Sequence, residues 1–78
     1  MHYKKEIVDE LNVLVLFDIS NAQEGLKVHS SASDDSIAAT RRLFDKGLIT
    51  QNDGGYLTDL GLEAAEHAQS LWGILSAE

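Results

Sequence analysis

The sequence predicts a mainly α-helical domain with one small β-hairpin, in the order helix, helix, helix, strand, strand, helix. Three observations predict it. Apolar residues recur at helical spacing over stretches separated by Gly and Ser. After Gly47 that spacing gives way to two short runs about Asn52-Asp53-Gly54-Gly55, a turn sequence that supplies the positive-φ residues of a hairpin. The chain has 78 residues with no Cys and no Pro, so one domain over 1–78 must stand on packing alone. A domain this small buries only about 60% of its unfolded surface, so its core is expected to be thin.

The first helix is predicted over about 3–17. Ile7, Leu11 and Leu14 share one face, with Val8 and Val15 beside them, and Glu6, Asp9 and Glu10 sit near its positive end. Val13, Leu16 and Phe17 leave that face, which makes the end of the helix apolar nearly all round. Ser20, with Gln23 three residues on, reads as the start of a short second helix over about 21–28, weakened by Gly25. Ser33 is the expected N-cap of a helix over about 34–46, with Asp34 and Asp35 in its first turn and Gly47 ending it. Ile37, Thr40, Leu43 and Phe44 form its inward stripe. The hairpin is expected over about 48–58. Thr58 then caps a last helix over about 59–75, with Leu60, Ala64, Ala68, Leu71 and Leu75 along one side and Trp72 beside them.

Composition excludes several functions. Without Cys there are no disulfides and no thiolate metal sites. The longest apolar run, Val13 to Phe17, is too short for a membrane span. Met1 to Glu10 is charged and has no signal-peptide core, which predicts a cytoplasmic protein that does not engage membranes. Six basic against 13 acidic residues give a net charge of −7, which repels nucleic acid at long range.

The residues offer no catalytic set. Ser30, Ser31 and Ser33 have no base near them in sequence, and no triad can be named. Gly54-Gly55 is followed by neither Lys-Ser nor Lys-Thr and is no phosphate loop. Glu63 and His67 have the spacing of a metal pair but no evident third ligand, so surface pairing is the better reading. No enzyme activity, cofactor or metal is expected. Asp34-Asp35 reads better as helix-dipole complementation than as a metal site or a mark for a basic partner. Arg41-Arg42 reads either as a phosphate clamp or as a solvated helix pair.

Arg42-Leu43-Phe44-Asp45-Lys46-Gly47-Leu48-Ile49 followed by Tyr56-Leu57-Thr58-Asp59-Leu60-Gly61 resembles the winged helix-turn-helix superfamily. The likeness is to the MarR-type and PadR-type pattern, in which a recognition helix ends in "L…GLI" and a wing returns with "Y-L-T-x-x-G". It covers about residues 20–61. The whole chain also looks like a small, functionally uncharacterised bacterial protein family of about this length.

The resemblance implies binding to double-stranded DNA by a transcription regulator, with the helix over 34–46 in the major groove. By position it assigns Ser33, Asp35, Ser36, Ala39 and Arg42 to the groove. Arg41, Arg42 and Lys46 are assigned to phosphates, and Asn52 and Asp53 to the wing tip. The chain departs from the pattern in its charge: no Lys or Arg follows Gly47. A second reading therefore stands beside the first. An acidic surface (Asp34, Asp35, Asp53, Asp59, Glu63, Glu66) would meet a basic protein, without DNA. A homodimer built on the terminal helices through Val13, Leu16, Phe17, Leu62, Trp72 and Ile74 is also expected, because these exceed what one thin core needs; the alternative is that Phe17 and Trp72 close the ends of a monomeric core.

Overall fold

Two capped turns and a pair of glycines organise the computed structural model, which describes residues 1–21 and 23–77. The described order is α1 (Lys5–Leu14), β1 (Leu26–Lys27), α2 (Asp34–Asp45), β2 (Ile49–Gln51), β3 (Gly54–Leu57) and α3 (Asp59–Ser76). It is mainly helical with a hairpin, and the order is winged-helix-like.

Helix α1 stops at Leu14, short of the expected Phe17. The next amides tighten onto nearer carbonyls, Leu16 N–H on Val13 O at 3.0 Å and Phe17 N–H on Leu14 O at 3.3 Å. Asp18 then offers its carboxylate to the Ser20 amide at 2.9 Å and to the Ser20 hydroxyl at 2.5 Å. Such short-range acceptors compete with helix continuation. The turn carries Phe17 back into the core, where it is buried.

The short helix expected over 21–28 is not found; residue 22 of that span lies outside the described residues. Asn21 instead closes a turn, taking the Gln23 amide on its side chain and the Glu24 amide on its carbonyl. The chain then extends as β1, which adds to the hairpin and makes a three-stranded antiparallel sheet in the order β1-β3-β2. Leu26 pairs with Gly55 and Lys27 with Gly54. The reason lies in the hairpin. A Cβ at Gly54 would stand 2.1 Å from the Leu26 carbonyl oxygen, so only a bare backbone admits β1 here. Sheet pairing wins over a helix already weakened by Gly25.

Helix α2 has the termini its sequence predicts, but Phe44, expected inward, is exposed, and Ala39 is buried with Thr40 and Leu43 instead. The Ser33 hydroxyl accepts the Ser36 amide at 3.2 Å, and Asp34 and Asp35 occupy the first turn. At its other end Gly47 takes φ +81°. Leu48 N–H reaches Leu43 O at 2.9 Å and Gly47 N–H reaches Phe44 O at 3.0 Å, a Schellman termination. Thr58 ties this end to the next helix: its hydroxyl donates to Gly47 O at 2.6 Å and accepts the Gly61 amide at 3.1 Å.

The core consists of Val13, Leu14, Phe17, Ala39, Leu43, Ile49 and Ala65, with Ile19, Leu26, Leu48, Leu57 and Ala64 packed against it. Along α3 the buried positions are Gly61, Ala65 and Ala68. The expected stripe is therefore rotated, and Leu60 faces outward at 53% exposure. A Cβ on Gly61 would stand 1.8 Å from the Leu48 carbonyl oxygen, so α3 lies directly on the start of the hairpin. Among the described residues no helix is long and apolar enough to cross a membrane.

Candidate nucleic-acid interface

Adjacent arginines on α2 face different surroundings. Arg42 turns toward α1, where its Nε donates to Glu10 Oε2 at 3.0 Å and its Nη2 donates to the Glu6 carbonyl at 3.1 Å. One turn later Lys46 Nζ donates to the other Glu10 oxygen. Glu10 is buried at 5% exposure, so these two cations are what makes its charge tolerable. Burial alone pushes the Glu10 carboxyl pKa up. The hydrogen bonds and charges of Lys46 and Arg42 together outweigh that effect and hold it below its ordinary value of 4.5.

Arg41 points elsewhere, into a groove of about 420 Å³ between β1 and its following turn, the middle of α2 and the hairpin tip. Lys27, Val28, His29 and Ser30 form one wall, Ile37, Thr40 and Arg41 the second, and Asn52 and Asp53 the third. The Val28 amide donates to the Asp53 carbonyl at 2.7 Å, which holds the first wall to the third. Lys27, His29, Arg41 and Asn52 are exposed. The chain has six Lys and Arg. Among the described residues the ion pairs engage Lys5, Arg42 and Lys46, and two of the other three cations, Lys27 and Arg41, face this groove. Among the described residues Asp53 is the only carboxylate in its lining. An anion placed there meets two cations, an imidazole and an amide.

The DNA-facing set expected from sequence is thus divided. Arg41 and Asn52 come together in the groove. Ala39 is completely buried and cannot face a base, because the helix turns it into the core. Arg42 and Lys46 are bound to Glu10 instead of standing free for phosphate. Ser33 caps the helix on the Ser36 amide and donates its hydroxyl to the Ser36 hydroxyl at 2.9 Å, so both are engaged at the helix start. Asp35 beside them is paired with Lys5 at 2.7 Å, which offsets its repulsion of an approaching phosphate. Sequence reasoning missed Lys27 as a site residue because it placed it in a helix. The alternation Leu26-Lys27-Val28-His29 after Gly25 was the available sign of a strand.

The dimer set is divided as well. Val13 and Phe17, at 2% and 4% exposure, belong to the protomer's own core and are not available to a second chain. Leu62 is half-buried in a cleft beside Phe17. Leu16, Trp72 and Ile74 are exposed at 62%, 66% and 73%.

No group of three or more His, Asp or Glu residues that could hold a metal ion is present among the described residues. Glu63 and His67 instead line a shallow cleft on α3 with Asp59 and Glu66.

The chain belongs to a family of unknown function, DUF5669, whose model matches residues 1–76. Comparison with curated proteins and with solved structures gives no match.

Proposed function

We propose that this chain is a small winged-helix DNA-binding protein, a cytoplasmic transcription regulator without enzymatic activity that acts as a homodimer. One observation supports this reading above the others. In a protein of net charge −7, Lys27, Arg41 and His29 gather with Asn52 in the groove between α2 and the hairpin tip. In a winged-helix order that is the side a duplex approaches. Lys27 and Arg41 contact backbone phosphates, and Asn52 at the tip follows the adjacent strand.

The charge count sets the strength of the complex. Two cations per protomer give a log–log salt slope of roughly −2, and roughly −4 for a dimer. Binding to random sequence is therefore weak and visible only at low salt. Fluorescence anisotropy of a labelled random-sequence duplex tests it. The reading expects saturable binding at about 50 mM salt that fades toward about 200 mM. A flat titration at the lower salt would remove it.

One observation favours the second reading, an acidic module that binds a basic protein without DNA. Asp59, Glu63 and Glu66 stand together on the α3 cleft, while Arg42 and Lys46 are held by Glu10. Capture of a basic partner, lost on Glu63→Lys with Glu66→Lys and accompanied by no DNA binding, would put this reading first.

A further inference from the structure

We propose that a second copy of this chain covers the groove between α1 and α3, seating its own Trp72 against Val8, Leu11 and Val15. This names the seam of the homodimer and rests on that part of the reading above; it does not depend on DNA.

The groove, about 350 Å³, is walled by Tyr3, Val8, Leu11 and Val15 on one side and by Leu71, Trp72 and Leu75 on the other. Among the described residues no charged side chain lines it. Helix α3 outruns its own core: its last buried residue is Ala68, and beyond it Leu71, Trp72, Ile74 and Leu75 are 42%, 66%, 73% and 75% exposed. Residues 68–77 contain no Asp, Glu, Lys or Arg. Six apolar side chains (Tyr3, Val8, Leu71, Trp72, Ile74, Leu75) leave on the order of 700 Å² exposed, against roughly 800 Å² per partner in a standard stable interface.

Two features select a second copy as the occupant. The first is Gly73. It lies inside α3, where Gly weakens a helix, yet among the described residues no atom beyond its chain neighbours and its own helix backbone lies within 4 Å of where its Cβ would be. Among the described residues nothing packed against Gly73 compensates that weakness. A helix crossing at Gly73 does, because the bare backbone lets two α3 ends approach closely. In a two-fold pair each α3 end is both wall and occupant, and one Gly serves both chains. The second feature is charge. A basic partner would gain nothing from an uncharged groove, whereas two copies of net charge −7 can meet only where their charges are absent. Salt should therefore tighten this association by screening the repulsion, the opposite of its effect on DNA binding.

Trp72 is the only Trp, so its emission reports the seam directly. Sedimentation should show a dimer at micromolar concentration that strengthens as salt rises. Trp72 emission should be blue-shifted and shielded from quencher, and should move to the red on dilution. Leu75→Glu should raise the dissociation constant about tenfold or more, and Leu60→Glu, exposed but outside the groove, should leave it unchanged. Gly73→Leu should favour the helix and still weaken association. On a patch that is merely sticky, the added side chain would strengthen it. A monomer at every concentration would overturn both the seam and the homodimer. A dimer with water-exposed Trp72 emission that ignores Leu75→Glu would overturn the seam alone. A dimer that weakens with salt would overturn the apolar seam in favour of charged contacts between the two copies. DNA binding, measured separately, fails or succeeds independently of all three.

Discussion

The seam between α1 and α2 and the groove between α2 and the hairpin share one helix and treat its cations in opposite ways. Arg42 and Lys46 meet a buried carboxylate at the seam. Arg41, one residue earlier and about 100° around the helix, opens into a groove with Lys27 and His29. In the seam the positive charges hold the fold together. In the groove they remain available. A count of basic residues along α2 overstates what a polyanion can use, because helical phase decides which cations are already engaged.

Removing β1 would break the groove and leave the seam intact. Gly54 has φ +134° and no room for a Cβ beside Leu26, so Gly54→Ala should cost about 3 kcal/mol and unseat Lys27 and His29. Chemical denaturation gives the first effect, and loss of duplex binding by the fraction still folded gives the second.

Glu10→Ala would do the reverse. It leaves Arg42 and Lys46 without their carboxylate. Both are partly exposed, at 32% and 47%, and can turn toward water. The loss should be about 2 kcal/mol, below the value for a fully buried pair. Duplex binding by the folded fraction should not fall.

Acid should act through the same seam. The folded-state pKa of Glu10 is depressed, so its contribution to stability is fully present above the ordinary value of 4.5. It is lost as pH falls below 4.5 through the folded value. Wild-type stability should therefore drop more steeply than that of Glu10→Gln below pH 4.5, and the two should run parallel above it. Denaturant midpoints across that range measure the difference.

The smallest effect expected is at Asp53, the one carboxylate lining the groove among the described residues. Asp53→Asn should tighten duplex binding about threefold at low salt, with little change in stability.

The parts of this architecture that were legible in the sequence are those set by local chemistry. Ser33 and Thr58 cap their helices, Gly47 ends α2 and the hairpin turns at Asn52-Asp53. Each depends on a side chain or a φ value within a few residues. The misread parts depend on distant partners. Residues 26–27 become a strand only because Gly54 and Gly55, far along the chain, accept them. Phe17 enters the core after a turn set by Asp18. Glu10 reads as one of three acids near the positive end of its helix, and only packing brings it to Arg42 and Lys46. The candidate site was half legible for the same reason. Arg41 and Asn52 follow from the motif, but Lys27 and His29 reach the groove only through sheet pairing.

Comparing Arg41→Glu with Arg42→Glu in one anisotropy titration of a labelled duplex tests the central claim most directly. Arg41→Glu should weaken binding about tenfold or more and flatten the salt slope by roughly one or more, with its unfolding midpoint unchanged. Arg42→Glu should lower the unfolding midpoint, because it sets a second carboxylate against Glu10, and should leave the affinity of the folded protein within about twofold. The opposite pattern, with Arg42 governing affinity and Arg41 silent, would contradict the groove as the contact surface.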